Sequence, residues 1–544
     1  MLHNGKPAAA IDSGSAMNRS ESFDSLQQPF DVLVIGGGAT GLGIAVDAVT
    51  RGFTTALIDG GDFAQATSSR ATKLVHGGVR YLASGQIHLV YEALHERAVM
   101  MCNAPHLVKP QAFVLPTYTR RELPYFGAGL LAYDLLSGRS SMGRTRILGH
   151  RKTLEQIPNL QPAHLSGSVL YHDGQFNDAR LALVLARTAA DYGATVLNYV
   201  RCMRLVHAEG KVTGAVVADT ETSREYTITA KTVFNATGIF TDELRRMDAP
   251  ETPPLLTVSR GTHLVVAASV LGGSAGIMVP KTRDGRVIFA IPWQGRVVIG
   301  TTDLPAPKPA MEPGHTDEEI AFLLETINPF LAKQIDRGDI LSVFSGLRPL
   351  VTGKGATTSK ISREHHIDVS NSGLITVAGG KWTTYRRMAE DALNFATRKG
   401  MLPRQPCVTS RTYLHGGQQA ATEGDAYTRE YGSDAKLLRA LTNDDPALAE
   451  PIAPGLPYSF AQVAYAARFE MARTLEDVLS RRTRALLLDE RAALSAAPRV
   501  AALLRKELGR DETWEEEQLQ QFAKLAARDY TARGPGARRD RLSC

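Results

Sequence analysis

The sequence predicts a mixed α/β (α+β) chain with a parallel βαβ beginning, a strand-rich middle and a helical C-terminal part. Three observations predict it. A glycine-rich turn at Asp31 to Gly43 joins an apolar β-branched run to a helix, short strand-and-turn patterns fill Gly261 to Asp303, and beyond Pro406 the composition shifts to Ala, Leu, Arg and Glu at helical spacing.

Val32 to Ile35 suit a buried parallel strand, and Gly36, Gly38 and Gly41 keep the G-x-G-x-x-G spacing. The first glycine permits a tight turn, the second lets the backbone approach a pyrophosphate, and the third lets the new helix lie close to the sheet. The phosphates then sit on free amides at a helix N-terminus. Ile44 to Thr50 continues as a helix ended by Arg51-Gly52, and Thr54 to Ile58 is a second strand closing on Asp59. Asp59 stands where the acidic ribose ligand of a Rossmann unit belongs, which disfavours the 2′-phosphate of NADP and leaves FAD or NAD.

Gly60 to Gly78 reads as a loop, Tyr81 to Met101 as a helix ended at Pro105, and Ala112 to Leu115 and Val169 to His172 as strands. Leu181, Val184, Leu185 and Thr188 fall at helical spacing, so Leu181 to Tyr192 is predicted to be an amphipathic helix. Ala194 to Tyr199 follows as a strand, and Arg204 to Ala230 alternates around Glu209-Gly210-Lys211 as an antiparallel meander does. Val233 to Asn235 runs into the small-residue turn Ala236-Thr237-Gly238. Further strands are predicted at His263 to Val266, Val287 to Pro292 and Val297 to Gly300. Leu374 to Val377 leads through Ala378-Gly379-Gly380-Lys381 into a helix from Thr383 to Arg398, whose dipole favours negative charge at its N-terminus. Helical periodicity returns at Phe460 to Ser480 and Arg499 to Arg505. The expected division is a disordered extension over 1–30, a main region over 31–405, a helical domain over 406–532 and a basic flexible tail over 533–544.

The 544 residues suffice for two or three domains. A chain that is 43% hydrophobic and 22% charged has the composition of a soluble enzyme, and no apolar run reaches the roughly 18 residues of a membrane span. A net charge of +6 is too small for a broad nucleic-acid face, so no nucleic-acid partner is expected. Cys102, Cys202, Cys407 and Cys544 are scattered without a C-x-x-C or His-paired pattern, so no metal centre is expected.

The blocks GGGATGLGIAVDAVTRG (36–52), TSSRATKLVHGGVRYL (67–82), GTHLVV (261–266), VIGTTD (298–303), SGLRPL (345–350) and ISREHHIDVSNSGLITVAGGKWTTYRRMAED (361–391) resemble FAD-dependent glycerol-3-phosphate dehydrogenases. The segment at Arg481-Arg482-Thr483 does so too, and the resemblance spans residues 30–530. It implies the D-amino-acid-oxidase-like flavoprotein fold, in which a Rossmann-type FAD domain is interleaved with an antiparallel substrate domain and followed by an all-helical C-terminal domain. The implied reaction oxidises sn-glycerol 3-phosphate to dihydroxyacetone phosphate and passes electrons through FAD to a membrane quinone. Oxygen-reducing glycerophosphate oxidases and amine oxidases of the same fold are the alternatives. The length leaves little space for the insertion of the former, and an amine oxidase needs one carboxylate clamp rather than several cations.

Carried over by motif, Arg80, Tyr81, Arg363 and Lys381 line the substrate pocket together with His263 and Arg348. Arginine suits the phosphate because its planar fork matches the oxygens. His263 is the expected general base, since an imidazole accepts protons near neutral pH, with His76 its rival. Arg348 is expected to stabilise the developing alkoxide. Ser68, Ser69, Lys73, Leu74, His76 and Gly77 belong to a loop expected to wrap the flavin. Ala236, Thr237 and Gly238 form a turn returning to the cofactor, Gly380, Thr383 and Thr384 meet the pyrimidine edge, and Val200 meets the adenine.

Residues 125–136, YFGAGLLAYDLL, are apolar, and 138–152 carries Arg139, Arg144, Arg146, Arg151 and Lys152 with no acidic residue. An interfacial segment requires such a pairing, anionic lipid attracting each basic group by about 1 kcal/mol. Peripheral contact with an anionic membrane surface is expected, on the cytoplasmic face of a bacterial inner membrane or, alternatively, at the mitochondrial inner membrane. A homodimer is left open. Mitochondrial members of the family carry EF-hands, whereas no D-x-[DN]-x-[DN]-G loop occurs here, so calcium regulation is not expected.

Overall fold

Two sheets and a block of helices account for the described residues of this computed structural model, which are 17–79, 85–119, 121–280, 282, 285–351, 365–418 and 428–532. The first sheet runs His365–Val369, Ile375–Gly379, Glu225–Asn235, Phe30–Ile35, Thr55–Ile58, Thr195–Leu197, parallel throughout except for its first pair. Val32, Leu33 and Val34 are wholly buried, as strands covered on both faces must be. The helix Ala39–Thr50 packs between Asp178–Asp191 and Tyr385–Arg398. The strands Val200–Ala208 and Lys211–Asp219 complete the expected meander onto Glu225–Asn235.

The second sheet is antiparallel except where Gly276–Val279 meets Lys109–Thr117. Its long strand Leu256–Ala267 pairs with Arg296–Gly300 on one side and Ile340–Val351 on the other. Alternation along this strand splits its side chains between two cores. Leu264 and Val266 pack with Ile320 and Leu323 of the helix Asp317–Ile327. Val265, with Trp293, Val298 and Phe344, packs against the C-terminal helices Phe460–Phe469, Glu490–Leu508 and Glu512–Asp529. Chain segments of the first sheet lie on both sides of the second in sequence, so the two are interleaved.

Several expectations are corrected. Within the extension expected to be disordered, Arg19–Ser25 is a helix, because the Asn18 side chain accepts from the amides of Ser20 and Glu21 and Arg19 pairs with Asp219. The helix Asp178–Asp191 is not amphipathic in use: Arg180 is buried against Glu470, and Arg187 against Asp434 and the Tyr465 hydroxyl. The stretch from Phe460 to Ser480 is not one helix, since it stops at Phe469 and Met471 takes a left-handed φ of 51° before a wider turn at Asp477–Arg482. Arg80, Tyr81, Arg363 and the basic tail lie outside the described residues.

Candidate active site

Gly36, with φ of 117°, ends the first strand where a Cβ would lie 2.4 Å from the Ala236 carbonyl oxygen. A Cβ on Gly41 would lie 1.8 Å from the Gly36 carbonyl oxygen. The glycine turn is thereby closed against Ala236-Thr237-Gly238, and the helix Ala39–Thr50 starts at Gly38 without a side-chain cap. Ser68 Oγ accepts from the Ala39 amide at 2.9 Å. The Asp59 carboxylate accepts from the amides of Gly37 at 2.6 Å and Gly61 at 2.8 Å. Burial pushes this carboxyl up to about 6 against those two bonds. Val200 donates its amide to the Asp59 carbonyl at 2.7 Å, while its side chain packs in the core with Leu33 and Leu205. These groups fit the pyrophosphate and ribose of a dinucleotide: a close backbone approach, a helix N-terminus and an acidic side chain.

At the far end, two loops meet. The His76 amide donates to Thr383 Oγ1 at 3.3 Å, and the Trp382 indole donates to the Ser68 carbonyl at 2.8 Å. They enclose a cavity of about 190 Å³, lined by Arg70, Thr72, Leu74, His76, His263, Arg348, Gly380, Lys381 and Thr383 among others. A second cavity of about 940 Å³ shares Thr72, Leu74, His76 and Arg348 and continues beneath the helix Glu122–Ser137. Lys381 and Thr384 also border a third cavity, of about 200 Å³, beside His88, Glu92 and His365.

His263 lies directly opposite Phe344 and Gly300 in the neighbouring strands. It stacks on Phe344 at a centroid distance of 4.6 Å and 12°. A Cβ on Gly300 would lie 2.2 Å from His263 Cδ2, so only glycine leaves space for the ring. Nε2 is 3.0 Å from Thr72 Oγ1, whereas Nδ1 is buried and has no hydrogen-bond partner among the described residues. Burial, and then the charges of Lys73 and Arg348, hold this imidazole well below its ordinary range, which favours the neutral ring. Gly261 plays the same spacing part for Arg348: a Cβ there would lie 2.2 Å from Nη2. Arg348 Nη2 donates to Thr301 Oγ1 at 3.0 Å and to the Thr302 carbonyl at 3.1 Å, and Nη1 lies 3.4 Å from Asp303.

The structure thus brings His263, Arg348, Lys381, Leu74, His76, Gly380 and Thr383 to one cavity. It turns others away. Lys73 is wholly buried, its ammonium bonded to the Ser69 carbonyl and Asp178, so its side chain points away from the cavity. Gly77 packs under the Tyr133 hydroxyl, which accepts from its amide at 2.8 Å. Arg70 and Thr72 line the cavity without having been singled out; both stand in the TSSRATK block, which was the available signal.

Residues 31–386 match the FAD dependent oxidoreductase family, and residues 376–515 match the C-terminal domain of alpha-glycerophosphate oxidase. A mitochondrial glycerol-3-phosphate dehydrogenase from Bos taurus is 42% identical over 531 residues, covering 91% of this chain and 73% of that protein. The mitochondrial enzyme of that name from Arabidopsis thaliana is 38% identical over 560 residues, 95% of this chain and 89% of its own length. The crystal structure of glycerol-3-phosphate dehydrogenase from Bacillus halodurans, complexed with FAD, is 30% identical, with a TM-score of 0.77 and coverage of 94% of this chain and 97% of that one. With a dinucleotide turn at one end and a cation-lined cavity at the other, the chain belongs to the FAD-dependent glycerol-3-phosphate dehydrogenase family.

Proposed function

We infer that this chain oxidises sn-glycerol 3-phosphate to dihydroxyacetone phosphate with FAD, and that a membrane quinone takes the electrons. The observation that carries the reading is the convergence of His263, Arg348 and Lys381 on one cavity between the two cofactor loops. Bound FAD supplies a two-electron acceptor for the hydride leaving C2. The protein supplies the rest. Arg348 and Lys381 balance the charge of the phosphorylated substrate, and Arg80 and Arg363 join them by motif. His263 Nε2, on the cavity side next to Thr72, accepts the hydroxyl proton, and Arg348 steadies the negative charge that develops on that oxygen.

The larger cavity supports the quinone. Its walls include Leu115, Phe126, Leu130, Met278 and Phe289, an apolar lining suited to a ring system, and it reaches His76 and Arg348. The helix Glu122–Ser137 is its outer wall and exposes Tyr125 at 71% and Leu135 at 82%. Arg144, Arg146, Arg151 and Lys152 stand exposed nearby in sequence. Apolar side chains flanked by basic ones suit the surface of an anionic bilayer, which is where a quinone is dissolved. No helix among the described residues is long and apolar enough to cross a membrane. We place the enzyme peripherally, at a bacterial inner membrane facing the cytoplasm or at the mitochondrial inner membrane.

Anaerobic mixing with glycerol 3-phosphate tests the reaction. It should bleach the flavin absorbance, and a soluble quinone analogue should then restore it faster than oxygen does. Failure to bleach overturns the substrate, and faster recovery with oxygen makes the enzyme an oxidase.

A further inference from the structure

The segment Arg481-Arg482-Thr483-Arg484 belongs to the C-terminal part, yet its three arginines are wholly buried and reach back to the loop between Asp59 and Lys73. At the near end of that loop, Asp62 Oδ2 accepts from Arg481 Nε at 2.5 Å and from Arg482 Nη1, while Oδ1 accepts from Arg482 Nη2 and Asn198 Nδ2, each at 3.0 Å. At the far end, the Ser69 carbonyl accepts from Arg484 Nη2 at 2.7 Å and Lys73 Nζ at 2.9 Å. Asp178 completes this second cluster, accepting from Arg484 at 3.1 Å, Lys73 at 2.7 Å and the Ala71 amide at 2.9 Å. Between the two anchor points lies Ser68, which meets the helix N-terminus of the glycine turn. Asp59, the ribose acceptor, is tied through the Gly61 amide to the residue next to Asp62.

We propose that Arg481, Arg482 and Arg484 are positioning residues of the dinucleotide site, which fix the loop at Asp62 and Ser69 and thereby link FAD binding to the docking of the C-terminal helices. Arginine suits the task, because its fork can bond two acceptors at once and stays charged when buried. An unpaired Asp62 carboxylate in this dry interior would oppose ionisation of Asp59 close by, and Arg481 and Arg482 neutralise it. Coupling of this kind is reciprocal: whatever affinity FAD gains from the docked arginines, the docked helices gain from FAD.

Two measurements test the linkage. Hydrogen exchange of amides over 477–488 is compared in the full-length holoenzyme and in the same chain after FAD removal. Exchange should speed at least tenfold without FAD, and equal exchange overturns the proposal, as a purely structural network would be indifferent to the cofactor. Arg482→Lys keeps the charge but loses the two-pronged contact with Asp62. Flavin fluorescence on dilution should report FAD binding weakened at least tenfold, with the far-UV circular dichroism unchanged, and wild-type affinity in the folded variant overturns the proposal. If that variant does not fold, the exchange comparison alone decides.

Discussion

His263 occupies a slot made by an aromatic ring on one strand and a missing side chain on the other. With Nδ1 enclosed and no acceptor beside it among the described residues, the doubly protonated ring is disfavoured until an anion enters the cavity. His263→Ala should therefore lower turnover by about 100-fold or more while the flavin absorbance stays with the protein. The pH profile carries a sign as well. A base is active when deprotonated, and burial lowers the pKa, so kcat/KM for the wild type should hold down to pH values well below the ordinary imidazole range before it falls. Unchanged turnover in the alanine variant would remove His263 from this role and leave His76. The cavity-lining side chains of His263, Arg348 and Lys381 were legible in short sequence blocks, but the spacing glycines were not. Gly261 and Gly300 stand in those blocks, yet nothing local tells which side chain needs the space, because Arg348 comes from another strand and His263 lies across the sheet from Gly300.

Among the elements, the helix Glu122–Ser137 does two things at once. Gly127, Leu130 and Tyr133 face inward, and Leu131 and Leu135 face out. Gly129 borders the large cavity, and a Cβ placed there would meet no heavy atom within 4 Å. Gly129→Leu should fill part of the cavity. In stopped-flow half-reactions it should slow reoxidation by a quinone analogue and leave anaerobic reduction by glycerol 3-phosphate as in the wild type. Equal reoxidation rates would empty the cavity of its proposed role. Replacing Arg144, Arg146 and Arg151 by Ser should weaken binding to anionic liposomes at low salt, by about 1 kcal/mol for each group that lies near the surface. Unaltered sedimentation with liposomes would reject the membrane face. Elements with a local signature were legible, such as the glycine turn and the meander. The helix Asp178–Asp191 departs from the amphipathic helix expected over Leu181 to Tyr192, because the burial of Arg180 and Arg187 depends on Glu470 and Asp434, which are brought to them from far along the chain.

At the scale of the whole molecule, His415 joins the helix Asp178–Asp191 to Asp434 in the C-terminal part. Its Nδ1 lies 2.6 Å from Asp191 and its Nε2 lies 2.7 Å from Asp434, all three side chains being buried. Burial opposes the charged imidazole, but the two carboxylates outweigh it and raise the pKa above the ordinary value. A histidine so raised contributes stability fully below its unfolded pKa and loses it as pH rises through the folded one. Thermal melts of the wild type should weaken as pH rises past neutrality, and His415→Gln should remove that slope and cost about 3–5 kcal/mol, the scale for breaking a buried pair. The same pH slope in both proteins would assign it to other groups.

The order of strands in the first sheet has a consequence for how the enzyme is made. Phe30–Ile35 is flanked by Glu225–Asn235, which in turn waits for Ile375–Gly379. A ribosome adding about 5–20 residues per second delivers that last parallel strand roughly 20 to 70 s after the first. Until Ala236 has emerged, the glycine turn at Gly36 lacks the backbone it closes against. Flavin capture should therefore wait for the later part of synthesis, since the cavity wall at Gly380 to Thr383 follows as well, and a nascent chain that ends before Ala236 has the cofactor's fingerprint without the backbone that closes it.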